Sequence, residues 1–249
     1  MAEGSRGKIE LWNDFCGPEI PVANAIAYGT SAGGCNYYLG DYKVTGDLGE
    51  TDTGVLGLSI ASGAVRISGN NENGKGVAIG TEAVFSPTLM GPLIAECRVQ
   101  RASLADGNVF FGFCDVNADD VAEPVTVSGA TFTLTASDLA GFTLDSQADD
   151  VDGWYMPYNG GTTTGETTAA SIVSGIAAVA AEWDVLRIEI MPDGRADWYI
   201  NGVLEQTKDG AVSTSVLQAC YVGCWGTAST AASVDLDYLL VRANRDWTR

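Results

Sequence analysis

The chain has 249 residues, of which 31 are glycine, and only 18% of its residues are charged. Its 13 basic residues stand against 32 acidic ones, and the resulting net charge of −19 repels phosphate backbones, so we expect no nucleic-acid partner. Because the sequence contains no histidine, it cannot form a Ser-His-Asp triad, a Cys-His pair or a Cys/His zinc site.

Glycine-rich, weakly charged sequence is typical of short strands joined by tight turns, which predicts an all-β protein. Residues 1–50 show no clear period, and we predict an extended, irregular N-terminal arm there, followed by a β-sandwich domain over residues 51–249. The candidate strands are, in chain order, Val55–Ser59, Ala64–Ser68, Val77–Phe85, Leu93–Gln100, Val109–Cys114, Ala130–Leu134, Ala140–Asp145, Asp152–Tyr158, Thr167–Val173, Trp183–Met191, Ala196–Ile200, Val203–Lys208, Cys220–Trp225 and Val234–Arg242.

The clearest strand pattern lies between residues 183 and 208. Leu186, Ile188 and Ile190 alternate with polar residues, a period of two that places one face in a core and the other outside. Pro-Asp-Gly at 192–194 and Asn-Gly at 201–202 are turn sequences, so this stretch predicts two successive hairpins. The whole pattern indicates one sandwich of short antiparallel strands.

The predicted arm carries apolar side chains that a free polar tail would lack. These are Trp12, Phe15, Ile20 and Val22, which stand among Gly, Pro and Asn residues without the period of a core strand. We therefore predict that the four side chains contact a partner protein, since apolar and aromatic residues concentrate in the centre of interfaces.

The six cysteines contain no Cys-x-x-Cys pair, so the spacing typical of a zinc site is missing. Four of them lie in apolar runs and are predicted to be buried thiols: Cys97, Cys114, Cys220 and Cys224. Cys16 and Cys35 lie in loop-like sequence and would be the pair if a disulfide forms.

No stretch of the sequence is typical of export or of a membrane span. Met1–Glu10 is polar and lacks the apolar run of a signal peptide, and Ala169–Ala181 is too short to cross a bilayer. We expect a protein that is made in the cytoplasm and has no membrane partner.

An acidic stretch near the middle of the chain has a spacing that suits a hard cation. Asp115, Asn117, Asp119 and Asp120 place oxygen atoms at short intervals, and calcium prefers such ligands. The stretch departs from the EF-hand pattern, because Asp120 stands where glycine is needed and Thr126 where a bidentate glutamate is needed. Two interpretations stay open: a calcium-binding loop, or a solvated acidic loop in a protein without a cofactor.

Aromatic rings beside amides are typical of carbohydrate sites. Trp154, Tyr155, Tyr158 and Asn159 form such a cluster within six residues, and we predict a glycan contact there. The alternative is that these rings pack in the core or in an interface, where aromatic residues also dominate.

Three segments of the C-terminal half carry a family resemblance. They are Trp-Asp-Val-Leu-Arg-Ile-Glu-Ile (183–190), Pro-Asp-Gly-Arg-Ala-Asp-Trp-Tyr-Ile-Asn-Gly (192–202) and Val-Asp-Leu-Asp-Tyr-Leu-Leu-Val-Arg-Ala (234–243). In these segments the chain resembles the concanavalin A-like lectin/glucanase jelly roll, which implies an antiparallel jelly-roll β-sandwich. That fold hosts lectins, hydrolases and inert structural modules, so the resemblance alone says little about function.

Catalytic members of this family carry a Glu-x-Asp-x-x-Glu strand that sets two carboxylates beside the scissile bond. The chain has no such motif; its nearest candidates are Asp235 and Asp237, on alternate residues of one strand, and Glu189, alone on another. We therefore expect that the protein is not an enzyme.

A narrower resemblance is to virion structural proteins of tailed bacteriophages. It rests on Trp-Asn-Asp-Phe (12–15), Pro-Leu-Ile-Ala-Glu-Cys-Arg-Val-Gln (92–100) and Asn-Val-Phe-Phe-Gly-Phe-Cys-Asp (108–115). It implies a capsid decoration or cement protein on the virion surface, which binds the major capsid protein lattice and copies of itself, as a trimer by analogy, and stabilises the head. The alternative function is a lectin-like glycan-binding module, and a glycoside hydrolase ranks last.

Overall fold

The computed structural model describes residues 7–17, 26–27, 37–46, 54–58, 60, 62–69, 71–117, 123–227 and 230–245. The strands in this part of the chain are β1 (Lys8–Asn13), β2 (Ile26–Ala27), β3 (Tyr37–Leu39), β4 (Tyr42–Gly46), β5 (Gly54–Leu58), β6 (Ala64–Ser68), β7 (Gly76–Gly80), β8 (Leu93–Gln100), β9 (Asn108–Cys114), β10 (Val125–Ser128), β11 (Thr131–Leu134), β12 (Leu139–Asp145), β13 (Gly153–Tyr155), β14 (Tyr158–Asn159), β15 (Val173–Ala177), β16 (Trp183–Ile190), β17 (Ala196–Ile200), β18 (Val203–Lys208), β19 (Ala219–Trp225) and β20 (Ser233–Asn244). Two single helical turns accompany them, α1 (Pro87–Met90) and α2 (Ala169–Ile172).

Two antiparallel sheets form the sandwich. Sheet A has the strand order β18-β17-β16-β8-β20-β6-β5-β2, with β1 paired to β20, and sheet B has the order β15-β13-β12-β9-β19-β7-β4-β3, with β14 paired to β12. The indole Nε1 of Trp198 in sheet A donates to the Gly141 carbonyl of sheet B at 2.7 Å, which ties the inner faces together. The predicted all-β, antiparallel jelly-roll sandwich is thus confirmed.

The alternation between residues 183 and 208 produces the predicted two-faced strands. Leu186, Ile188 and Ile190 are fully buried between the sheets, while the residues between them reach the outer face of sheet A. β16 pairs in register with β17 on one side and with β8 on the other. The register is uniform because a slip of one residue would turn every apolar side chain of β16 to solvent.

The centre of sheet B is buried on both sides, as predicted for Val109–Cys114. Every residue of β9, β12 and β19 is buried. Sheet A covers the inner side. The β10–β11 hairpin is bonded to the first residue of β9, since the Asn108 side-chain Nδ2 donates to the Val125 carbonyl at 3.0 Å. The buried thiols predicted at Cys97, Cys114, Cys220 and Cys224 are confirmed.

The N-terminal region differs from the irregular arm that the sequence suggested. β1 pairs with β20 over six residues, and β4 pairs with β7, so strands on both sides of residue 50 share the two sheets. The sequence Lys-Ile-Glu-Leu-Trp-Asn does alternate, and Ile9 and Leu11 pack against the core. Six residues were too short a pattern to stand out, and only the pairing with β20 makes them a strand.

Two further expectations differ locally from the structure. The strand predicted at Thr167–Val173 is instead the turn α2, and β15 begins at Val173, because its partner β13 pairs with Val173 and Ala177. Cys16 has a free thiol that donates to the Ser62 carbonyl at 2.8 Å, while Cys35 lies outside the described residues. No helix in the described part of the chain is long and apolar enough to cross a membrane.

Candidate functional site

The aromatic cluster predicted to contact a glycan is part of the core. Trp154, Tyr155 and Tyr158 are only 1–3% exposed, because β13 and β14 belong to sheet B and their rings are covered. The Trp154 indole donates to Asp184 at 2.9 Å, and the Asn159 amide donates to the Ala136 carbonyl at 3.0 Å. The predicted platform is therefore wrong: the alternative interpretation, core packing, holds for its rings.

The predicted calcium ligands are only partly within the described residues. The buried Asn117 amide is used internally, since its oxygen accepts from Thr45 at 2.8 Å and its nitrogen donates to the Thr81 carbonyl at 2.7 Å. Asp119 and Asp120 lie outside the described residues, and Asp115 is half-buried. Among the residues that are described, no three Cys, Asp or Glu side chains come together as metal ligands.

The apolar residues predicted to bind a partner do not form one surface among the described residues. Trp12 lies on the outer face of sheet A and is 50% exposed, whereas Phe15 is 5% exposed and packs into the core. Phe15 has a φ of 53°, and its backbone nitrogen donates to the Asn13 side chain at 2.7 Å, which turns the ring inward after β1. Ile20 and Val22 lie outside the described residues. Of the pair that is described, only Trp12 is available for contact.

Cross-strand pairing on sheet A brings distant residues into one line. Tyr199 of β17 is opposite Arg187 of β16, Arg187 is opposite Glu96 of β8, and Glu96 is opposite Leu240 of β20. Leu240 is in turn opposite Trp12 of β1. We call these five residues the central row. Because side chains of directly opposed residues lie on the same face, the central row crosses the outer face of sheet A from β17 to β1.

A shallow groove lies at the Tyr199 end of the central row. Its cavity volume is about 340 Å³, and it is lined by Glu96, Val185, Arg187, Glu189, Tyr199 and Gly202. The lining side chains come from three neighbouring strands and the turn that follows β17. Four of its six lining residues have charged or polar side chains, namely Glu96, Arg187, Glu189 and Tyr199, and we take this groove as the candidate functional site.

Arg187 organises the charges of the groove. Its guanidinium forms an ion pair with Glu189 and lies 3.8 Å from Glu96. The Tyr238 hydroxyl donates to Glu96 at 2.8 Å, and burial, followed by this hydrogen bond, raises the pKa of Tyr238 well above its usual range. Burial also raises the pKa of Tyr199, with a smaller contribution from Glu189. Arg187 thus contacts both carboxylates of the groove, and Tyr238 holds one of them, Glu96, in place.

The other arginines of this face are matched in the same way. The ion pairs on sheet A beside the groove are Arg66–Asp235 at 2.6 Å, Arg98–Asp237 at 2.7 Å, Arg195–Asp197 at 3.0 Å and Arg242–Glu10 at 2.7 Å. The sequence placed Asp235 and Asp237 together as a carboxylate pair, but a bulge follows Leu236 and each carboxylate binds a different arginine. Because of this pairing, the outer face of sheet A has little net charge, although the net charge of the whole chain is −19.

Aromatic rings accompany these ion pairs. Trp12 stacks on Tyr238 with ring centroids 4.9 Å apart and planes inclined by 21°. The Arg98 guanidinium lies 4.7 Å from the centre of the Trp183 ring. Sequence reasoning missed this face because most of its pairs, such as Arg98 with Asp237 and Trp12 with Tyr238, join residues that are distant along the chain. The alternation in β16 did signal that Arg187 points outward.

No protein-family model and no curated protein matches the chain. Among solved structures, a protein of unknown function from Shewanella oneidensis MR-1 is similar with a TM-score of 0.57 at 12% identity, over 98% of this chain and 90% of that one. The potassium-bound carbohydrate recognition domain of Emp46p has a TM-score of 0.51 at 12% identity, over 81% and 88% of the two chains. A native glycosidic hydrolase has a TM-score of 0.51 at 12% identity, over 83% and 91%. At these identities the likeness concerns the fold alone: the chain has the concanavalin A-like, lectin-type jelly roll.

Proposed function

We propose that the protein is a non-catalytic binding module of lectin type, and that its groove recognises a glycan. The observation that carries the proposal is the Glu96–Arg187–Glu189 arrangement beside the Tyr199 ring, on an open sheet face. A carboxylate next to a guanidinium presents hydrogen-bond acceptors and donors side by side, which matches the adjacent hydroxyls of a sugar. Tyr199 is partly exposed, with the Arg187 guanidinium 5.8 Å from its ring centre, and an aromatic ring suits contact with the apolar C–H groups of the same sugar.

The charge pairing supports binding without turnover. Retaining glycoside hydrolysis needs two carboxyl groups about 5–5.5 Å apart, one of them a proton donor. Glu189 is instead paired with Arg187, and Asp235 and Asp237 are paired with Arg66 and Arg98. Each of these three carboxylates therefore binds an arginine instead of standing beside a second carboxylate as a catalytic pair.

The proposal is tested by screening the whole chain against an array of oligosaccharides and measuring the affinity of those retained by calorimetry. We expect Tyr199→Ala to weaken binding by about tenfold, through loss of ring stacking and of the groove wall. Tyr38→Ala is the matched control, since Tyr38 is 55% exposed on β3 of the other sheet. Retention of no glycan, or sugar release that Glu189→Gln abolishes, contradicts the proposal.

Attachment to a tailed-phage capsid is the second candidate, favoured by exposed aliphatic side chains at one end of the sandwich. Three aliphatic side chains are 42–52% exposed there: Val84, Leu89 and Leu217. Their two segments are joined by a hydrogen bond from the Val84 backbone N–H to the Gln218 carbonyl. In this proposal the module sits on the virion surface, bound to the major capsid protein lattice, in several copies. Stoichiometric presence on purified heads, lost in a Val84→Asp/Leu217→Asp variant, would support it, and absence from heads would overturn it.

A further inference from the structure

We infer that the ligand is a linear, neutral oligosaccharide or polysaccharide that lies across the strands of sheet A, with Trp12 as its far contact. The inference rests on the proposed glycan-binding function and adds the class and the length of the ligand. It follows from three properties of the central row: its span, its paired charges and the fixed indole at its end.

The span of the central row exceeds a single sugar. Tyr199 and Trp12 stand on β17 and β1, which are separated by β16, β8 and β20. With neighbouring strands about 4.8 Å apart, four spacings place the two strands about 19 Å apart. A pyranose ring is about as long as one strand spacing, so roughly four linked sugars cover this distance.

The side chains of the central row between Tyr199 and Trp12 are largely buried or partly buried. Leu240 is only 6% exposed, so it forms an apolar floor beside Trp12. The Glu96 and Arg187 side chains are 24% and 38% exposed and are held by Tyr238 and by each other. Ordered polar groups lose little conformational entropy when a ligand binds, which favours a chain laid along the row.

The charges of the face select a neutral chain. Five arginines on the outer face of sheet A each lie within 4 Å of a carboxylate: Arg66, Arg98, Arg187, Arg195 and Arg242. An anionic polysaccharide would have to displace a carboxylate and approach a protein with a net charge of −19. A neutral polyol uses the same pairs as donors and acceptors without breaking them.

Trp12 is suited to a contact at the end of this row. It is 50% exposed, yet its ring is positioned by stacking on Tyr238 and its backbone by the pairing of β1 with β20. An exposed indole that is already ordered offers a large contact area at low entropic cost.

The experiment is an affinity series with linear neutral gluco- and manno-oligosaccharides, from disaccharide through tetrasaccharide to hexasaccharide. We expect the affinity of the unaltered chain to rise with length up to the tetrasaccharide and then level off. Trp12→Ala should lower tetrasaccharide affinity by about tenfold and disaccharide affinity by a much smaller factor, while Trp12→Phe should restore most of the loss. Tyr199→Ala should lower affinity for every length.

The controls separate the inference from the proposed function. Oligogalacturonides of the same lengths should bind at least about tenfold more weakly, because they are anionic. Affinity that does not depend on length, equal binding of the anionic series, or a Trp12→Ala variant as tight as the unaltered chain overturns the inference and leaves the glycan-binding function standing. Failure of every neutral and anionic oligosaccharide to bind overturns both. The melting temperature of each variant shows whether β1 is still in place.

Discussion

The two sheets turn outer faces of opposite character away from the shared core. The centre of the outer face of sheet B is closed: Tyr221 and Trp225 of β19 are completely buried. The outer face of sheet A is open, with half-exposed Trp12 and arginine–carboxylate pairs across its strands. One face of this jelly roll is thus closed by packing, while the other exposes the polar groups and rings on which the proposed binding function depends.

The closed face should be the most sensitive to added volume. A Cβ at Gly141 would lie 2.4 Å from the Phe111 carbonyl oxygen and 2.7 Å from the Phe110 ring. We expect Gly141→Ala to lower the free energy of unfolding by about 3 kcal/mol, measured by urea denaturation. Gly175→Ala is the control, since its nearest neighbour is the movable Glu205 carboxylate at 3.3 Å. Equal stability of the two variants would show that the closed face is loosely packed.

The hairpin that follows Glu123 should make stability depend on pH. Burial, and to a smaller degree the charge of Asp145, raise the pKa of Glu123 from 4.5 to about 8. The folded state therefore binds this proton more tightly than the unfolded state, so the stabilisation is complete below about pH 4.5 and is lost as the pH rises through about 8. We expect the contribution from Glu123 to fall by about 2 kcal/mol over this window, after allowing for partial solvation.

Urea denaturation between pH 5 and 9 measures this effect, and the sign of the linkage predicts a loss of stability at the alkaline end. Glu123→Gln should flatten the profile, since the amide does not titrate, whereas the exposed Glu182→Gln should leave it unchanged. A wild-type profile that rises toward pH 9, or one that Glu123→Gln does not alter, would contradict the prediction.

On the outer face of sheet A, loss of an ion pair should lower the free energy of unfolding by less than the changes described above. Asp235 accepts two hydrogen bonds from Arg66, at 2.6 and 2.9 Å, and its partner is 39% exposed. We expect Asp235→Asn to lower the free energy of unfolding by about 1 kcal/mol. Glu10→Gln removes the more exposed pair with Arg242 and should cost less than about 0.5 kcal/mol. A larger loss from Glu10→Gln would reverse this order and show that exposure does not govern the pairs of this face.

Addition of calcium should change the stability of the protein less than any of these substitutions. Because the Asn117 amide already bonds Thr45 and Thr81, Asp115 is the remaining described side chain among the four predicted ligands. We expect millimolar calcium to raise the melting temperature by no more than about 2 °C. A larger rise that is removed by chelator and by Asp115→Asn would establish the calcium-binding interpretation of this loop.

Local sequence was sufficient where the signal is short-range. Three strands have the predicted bounds: Leu93–Gln100, Ala196–Ile200 and Val203–Lys208. Their bounds were predictable because apolar alternation and turn residues act within a few positions. It was insufficient for the candidate site. Glu96 and Arg187 meet only because β8 and β16 pair, and neither segment alone specifies that register.

The sequence by itself determined the all-β class, the buried thiols and the inward-facing side of β16, since composition and a period of two leave little choice. The tertiary structure alone decided which aromatic rings are exposed: Trp154 is buried between the sheets, while Trp12 is half exposed on β1. Both residues have the same chemistry, and their fates differ because exposure depends on which strands pack over a side chain. That packing is set by pairings between residues distant along the chain, such as Trp12 with Leu240.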